Sequence, residues 1–308
     1  MRIVILGSAA GGGFPQWNCN CPGCRRARAG DPAAQPRTQA SLAVAANDRH
    51  WLLVNASPDI RQQIAANPRL SPPAAGVRGS PIVAVVLTNA DVDHIAGLLS
   101  LRERQPLSLH AASRVLSVLD RNPVFDVLDR ALVARLPLAL DEEVAIAPAG
   151  GPVGLAVTAF AVPGKVALWL EEESGGDLTG EPEDTVGLRI SEPATGRHFF
   201  YIPGCAGLTP ALARRLTGAP LVLFDGTTWR DDEMAAAGAG AKTAARMGHM
   251  SMDGAGGSLA AFAPLRVHRK IYTHINNTNP VLLADSIERR RAEAAGWEIA
   301  WDGMEIVF

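Results

Sequence analysis

The sequence predicts a single α+β domain, and three observations carry that prediction. Apolar runs of strand length recur at residues 2–6, 82–87, 221–224 and 271–274, each stopping at a polar or glycine-bearing turn. Segments with helix-like apolar spacing lie between them, as at residues 60–66 and 112–119. No linker divides residues 1–308, and the glycine breaks fall inside the repeating strand-and-helix pattern. A hydrophobic content of 47% is that of a chain that builds a core.

Residues 81–103 organise the rest. The strand at 82–87 stops at Thr88; Asn89, Asp91 and Asp93 then alternate in a polar loop, and His94 precedes helix-like spacing at Ile95, Leu98, Leu99 and Leu101. A strand, a polar loop and a helix deliver carboxylates and an imidazole to one point, as a metal site requires. Helix capping would account for one aspartate but not for the Asp93–His94 pair.

A second cluster stands at Cys19, Cys21 and Cys24. Three of the four cysteines packed into residues 19–24 argue against a disulfide framework. Their C-x-C-x-x-C spacing brings three thiolates around one ion, and thiolates favour tetrahedral zinc. With no fourth thiolate nearby, the remaining ligand must come from elsewhere in the chain. The expected role is a structural clip that pins the first loop to the body. The triplet Gly11 to Gly13 before it suits a tight turn or a close ligand approach. No Gly-Lys-Ser/Thr follows, so it is not a phosphate loop.

The remaining elements follow in order. Residues 25–40 read as a loop, and 40–46 with 51–55 as a hairpin. Residues 72–80 form a loop into the central strand. Residues 107–110 form a strand, with His110 a packed or surface residue rather than a ligand. Helices are expected at 112–119 and 124–128, and strands at 142–146, 155–162, 186–190 and 198–202. An acidic, glycine-rich stretch at 171–184 reads as a solvated insertion, and Ala/Gly-rich 235–241 as a lid. Ser251 is the expected cap of a helix running to Phe262. Residues 281–295 read as an amphipathic helix, and 297–300 and 304–307 as closing strands. Asp225 and His274 end apolar strands at polar turns, and His249 sits in a Met-rich turn; all three positions suit a site.

Net charge is −2, and the longest basic cluster is Arg289 to Arg291. That balance speaks against nucleic acid as a partner. Only Ile3 to Leu6 follow Arg2 before Gly7, too short for a secretory core, and no apolar run reaches the roughly 18 residues of a membrane span. A soluble, cytoplasmic protein is expected, with a homodimer left open.

The loop at 89–94 resembles that of the metallo-β-lactamase superfamily, where the same strand ends in Thr-His-x-His-x-Asp-His. Asn89 and Asp91 stand in place of the first two histidines, while Asp93 and His94 keep theirs. Lys165 stands near the place of a further histidine, and Cys205 where relatives carry a metal-bridging aspartate. Within the superfamily the chain resembles the PqqB family. The motifs are Gly-Gly-Gly-Phe-Pro-Gln-Trp-Asn-Cys-Asn-Cys at 11–21, Asn-Ala-Asp-Val-Asp-His at 89–94, Asp-Gly-Thr-Thr-Trp at 225–229, Gly-His-Met-Ser-Met at 248–252, His-Ile-Asn-Asn-Thr-Asn-Pro at 274–280 and Asp-Gly-Met-Glu at 302–305.

That resemblance implies an αββα four-layer sandwich and a role in pyrroloquinoline quinone (PQQ) biosynthesis from a glutamate–tyrosine precursor. Two roles are attached to the family: iron- and O2-dependent hydroxylation of the tyrosine ring, and transport of the product towards the periplasm. Asp93, His94 and His274 make two imidazoles and one carboxylate, a set that suits non-haem Fe(II), with zinc able to stand in its place. Losing the other histidines speaks against a two-metal hydrolase. Asp91 is expected as a further ligand or as the partner of a ligand's ring N–H. His249 is expected to move protons or bind substrate, and Asn89, Asp225 and Asn276 to bind substrate. Asn277 is a candidate fourth ligand of the clip, because related phosphodiesterases place one shortly after the last metal histidine.

Overall fold

In the computed structural model, which describes all residues except 75, 149–150 and 172–179, two sheets pack face to face. Among the described residues each sheet has seven strands. The first runs β14 (Glu305–Val307), β1 (Arg2–Gly7), β2 (Ser41–Ala45), β3 (Trp51–Val54), β4 (Ile82–Val86), β5 (Leu107–Ala111) and β6 (Val133–Pro137). The second runs β13 (Trp297–Ile299), β12 (Lys270–Thr273), β11 (Val222–Asp225), β10 (Arg197–Ile202), β9 (Val186–Glu192), β8 (Ala156–Ala161) and β7 (Glu143–Ala145). Pairing is parallel from β3 to β6 and from β10 to β13, and antiparallel elsewhere.

Strand periodicity builds the layers. Side chains alternate across a strand, so Ile3, Ile5, Leu42, Val44, Leu52, Val54 and Val86 face inward onto Val157, Leu188, Ile190, Leu223 and Ile271 of the second sheet. Val4, Leu6, Ala43, Leu53 and Val85 point outward beneath α2 (Ile60–Ala66) and α4 (Ser113–Arg121), meeting Ile60, Val115 and Leu119. Phe160, Phe200, Phe224, Tyr272 and Trp297 cover the other outer face under α5 (Pro210–Leu216) and α7 (Ser258–Phe262). Because both faces of each sheet are covered, the parallel strands read as near-continuous apolar runs, which is why they stood out in the sequence.

Several elements differ from expectation for local reasons. The loop expected at 25–40 starts later, because α1 (Pro22–Arg28) takes Pro22 at its first turn and the Cys21 sulfur caps it, accepting from Cys24 N–H. Asp93 and His94 lie not in the loop but on α3 (Val92–Ile95), which continues as a 3-10 turn, Ala96–Leu101. Strand β6 was not expected: it is an edge strand with exposed residues and a terminal proline, so its apolar signal is weak. The helix expected at 281–295 splits into a 3-10 turn, Pro280–Leu282, and α8 (Ile287–Ala294), capped by Ser286. Ser251 caps no helix: α7 starts at Ser258, whose N–H reaches the Ser251 carbonyl. The expected lid at 235–241 begins within α6 (Glu233–Ala236) and continues as turns. Most of the acidic insertion expected at 171–184 lies outside the described residues.

His110 is packed on β5, 3% exposed, with Nε2 2.9 Å from Ser108 Oγ and Nδ1 without a partner. Burial pulls its pKa down to about 4. The folded pKa therefore lies below the unfolded value of about 6.5, so this group's stabilisation is present above pH 6.5 and is lost as pH falls towards 4. At about 1.4 kcal/mol per pKa unit, the loss is about 3 kcal/mol. Urea unfolding of the parent and of His110→Gln at pH 7 and pH 4.5 should show a smaller pH dependence in the variant; equal slopes would mean His110 carries none of it.

Candidate metal centre

The carboxyl ends of β4, β11 and β12 meet at one edge. Asp93 and His94 follow β4 on the first turn of α3, and His274 follows β12 directly. His274 has a left-handed backbone (φ 55°), a conformation that costs an L residue about 1 kcal/mol or more and survives only where neighbours hold it. Here the flanking main chain is fixed: Ile275 N–H donates to Ser8 O, Ala10 N–H to Ile275 O, and Asn276 N–H to Thr227 O, at 2.9–3.0 Å.

The two imidazoles are oriented alike. His94 Nδ1 lies 2.7 Å from Asn89 Oδ1 and 3.3 Å from Thr88 Oγ1, and Thr88 is itself bonded to Asn55. An Nδ1–H donated to the Asn89 amide oxygen leaves Nε2 as the lone-pair nitrogen. That Nε2 is buried and has no partner. His274 Nδ1 lies 2.9 Å from the Thr227 hydroxyl, so its Nε2 also points inward, 3.1 Å from Asp93 Oδ2. Asp93, His94 and His274 bring one ligand atom each to within 4.8 Å of one another. A buried imidazole nitrogen without a partner, beside a carboxylate and a second imidazole nitrogen, fits a divalent cation.

Electrostatics agree for Asp93 and His94. Burial works against charge on Asp93, yet the adjacent His94 and His274 rings hold its carboxyl well below the ordinary range. Burial pulls His94 down, favouring the neutral ring a ligand needs. On His274 burial is outweighed by Asp93, which raises its pKa.

Around this centre lies a cavity of about 330 Å3, lined in part by Gly12, Asp91, Lys165, His249 and Asn276. Gly12 has φ 91°, and a Cβ there would come within 2.9 Å of Gln16, so the glycine is needed for the turn itself. Asp91 Oδ1 faces Lys165 Nζ at 3.8 Å, and Lys165 also meets Glu171 at 3.4 Å. Asn276 Nδ2 donates to Thr278 Oγ1 at 2.7 Å.

Other expected site residues stand one layer back. Asp225 is fully buried: Oδ2 accepts from Cys205 N–H and meets His249 Nδ1 at 2.6 Å, while Oδ1 accepts from Thr227. Asp225 therefore orients His249 rather than lining the cavity. His249 stacks on His274 with ring centroids 5.2 Å apart. Asp225, His249 and His274 also bring ligand atoms within 4.8 Å of one another, whereas Cys205, buried with its N–H on Asp225, joins none of the three ligand groups found among the described residues. Sequence reasoning assigned no role to Thr88 or Thr227. The Thr227 hydroxyl joins Asp225, His249 and His274, and the only signal was its place after a strand in Asp-Gly-Thr-Thr.

Asn89 spends Oδ1 on His94 and on Asp91 N–H, which makes it a positioning residue in this structure. Losing such an outer partner typically costs about 10–100-fold in metal affinity. Asn89→Ala should show that loss in equilibrium dialysis with Fe(II) or Zn(II); an unchanged affinity would mean that His94 needs no anchor at Nδ1.

The cysteines converge separately. Cys19, Cys21 and Cys24 sulfurs lie within 4.8 Å of one another. Asn277 faces them, with Nδ2 3.4 Å from Cys24 Sγ and 3.8 Å from Cys21 Sγ. A cation among the sulfurs would take the amide oxygen, so Asn277 would turn Oδ1 inward. Burial pushes the Cys21 thiol up to about 12, so a cation would be needed to hold it as thiolate. Asn277 follows His274 by three residues, so one loop touches both centres.

Known proteins share this architecture. Residues 50–275 match the family described as "Beta-lactamase superfamily domain". A protein of Gluconacetobacter diazotrophicus named "Coenzyme PQQ synthesis protein B" is 56% identical over 305 residues, covering 99% of this chain and 98% of the relative. Its namesake from Xanthomonas oryzae pv. oryzae is 55% identical over 306 residues, covering 99% of each. The crystal structure of Zn(2+)-bound PqqB from Methylobacterium extorquens superposes with a TM-score of 0.94 at 52% identity, covering 100% of both chains. A diphosphatase of the PhnP family shares the fold, with a TM-score of 0.69 at 20% identity, covering 100% of this chain and 98% of the other. The chain thus belongs to the coenzyme PQQ synthesis protein B family, within the beta-lactamase superfamily.

Proposed function

We propose that this protein acts in PQQ biosynthesis as a non-haem iron, O2-dependent hydroxylase of the tyrosine ring of a glutamate–tyrosine precursor. The observation that carries the reading is the pair of inward Nε2 atoms, one of them buried without a partner, set beside the Asp93 carboxylate. Asp93, His94 and His274 would hold the iron, leaving positions open for small molecules. Bound iron would supply O2 activation; zinc, having no redox chemistry, would not.

The chain's own residues supply orientation and proton handling. Asn89 and Thr227 fix the two imidazoles through Nδ1. Asp225 holds His249 Nδ1, which leaves His249 Nε2 to exchange a proton with a substrate in the cavity. Lys165 keeps Asp91 paired beside the cavity, so no second cation is needed there. One oxygen atom of O2 would enter a ring C–H bond; the other would leave as water, with two electrons from an external reductant and two protons from solvent. Cys19, Cys21 and Cys24 are proposed to hold a separate structural zinc, with Asn277 as the fourth group.

Among the described residues no helix is long and apolar enough to cross a membrane. The test loads Fe(II) anaerobically, then adds oxygen, a reductant and a glutamate–tyrosine dipeptide. The expected product is heavier by one oxygen atom and forms with iron but not with zinc. No such product, or equal product with zinc, would overturn the proposal.

A further inference from the structure

Away from the metal centre, a cavity of about 350 Å3 lies between the segment after the cysteine clip and α8, with Arg37, Arg289 and Trp301 in its wall. It shares no lining residue with the cavity at the metal centre. Arg37 is fixed by its main chain, which exchanges hydrogen bonds with Phe14 in both directions at 2.6 and 2.8 Å. Its Nε is buried without a partner, and among the described residues no carboxylate pairs with its guanidinium. Asp302 borders the same cavity but is already engaged: Oδ1 accepts from Ser8, and Oδ2 from the Thr38 N–H and hydroxyl. Across the cavity stands Arg289, its side chain 17% exposed, bonded to the exposed Glu293 at 2.9 Å. Burial pulls Arg37 down to about 10; the Asp302 carboxylate works against that, and the like charge of Arg289 adds to it.

A buried Arg37 Nε without a hydrogen-bond partner, with a second guanidinium in the same wall, suits an anion, and the Asp302 carboxylate there is turned to Ser8 and Thr38. An arginine fork matches a carboxylate in geometry. Trp301, 46% exposed, adds a large apolar wall. We propose that the cavity between Arg37 and Arg289 binds the carboxylate of a small aromatic acid, with the ring against Trp301.

Benzoate is the probe, with acetate and inorganic phosphate alongside, in calorimetric titration and thermal melting of the metal-loaded protein. Benzoate should bind saturably and raise the melting temperature. Arg37→Gln and Arg289→Gln should each weaken it about tenfold or more, the worth of a charge-assisted hydrogen bond. Trp301→Ala should bring benzoate down to the level of acetate. The ligand-free Arg37→Gln protein should melt no lower than the parent, since a like charge has gone. Absence of saturable benzoate binding overturns the proposal. So does binding that neither arginine variant changes, which would place benzoate elsewhere, including at the metal. Binding of phosphate without benzoate overturns the carboxylate assignment.

Discussion

Replacing His274 by alanine is expected to reduce iron-dependent product to background and to leave the cysteine-bound zinc in place. The substitution removes one of three converging ligand atoms and the partner 3.1 Å from Asp93 Oδ2. Asp93 would then keep a largely enclosed carboxylate with one imidazole 3.9 Å away, and two ligands are too few to hold a catalytic ion firmly. The fold should survive, because the main chain on either side of position 274 is held by hydrogen bonds the substitution does not touch. Alanine keeps the left-handed backbone at a cost similar to that already present, and His274→Gly, free of that cost, serves as the control for strain. Iron and zinc per chain, measured with oxygen-dependent product, decide the matter. Loss of both metals would mean that the two centres are one or that the loop from 274 to 277 has collapsed.

How far the sequence revealed this centre depends on where each residue's role is decided. Asp93, His94 and His274 stood out because the first two follow an apolar strand by one short polar loop and the third directly follows another, and residue type together with strand context carries the chemistry. Thr227 was not, since a hydroxyl acquires its role only when three separate loops meet: the turn after β11, the segment carrying His249 and the end of β12. Asn89 and Asp225 were placed at the substrate because polar side chains near a metal read alike in sequence. Folded, Asp225 is taken up in holding His249, while Asn89 holds His94 through Oδ1 and also lines the cavity. At the level of elements, buried parallel strands announced themselves by their apolar runs, whereas exposed β6 did not. The order of strands in the two sheets is a long-range property that strand periodicity leaves open.

Cys21→Ser should release the zinc and lower thermal stability sharply. The substitution separates two jobs of one side chain. The Cys21 sulfur caps α1 by accepting from Cys24 N–H, and a serine hydroxyl takes over that task as a good N-cap. What serine does not replace is a thiolate for a thiophilic ion, so the stability lost is that of the metal clip. Metal loss stands among the substitution effects above about 4 kcal/mol. At roughly 2–4 °C per kcal/mol, the melting temperature falls by about 10 °C. The effect should extend to the iron centre. Cys21 and Cys24 lie against Asn277, and the same loop holds His274 in its strained conformation. Iron affinity should therefore weaken in Cys21→Ser, whereas His274→Ala, which leaves the loop's main chain in place, spares the zinc. Metal analysis and calorimetry with and without added zinc read both effects. A variant that keeps its zinc and its melting temperature would show that the three sulfurs form no clip. One that loses zinc but binds iron as the parent does would show that the loop from 274 to 277 stands without it.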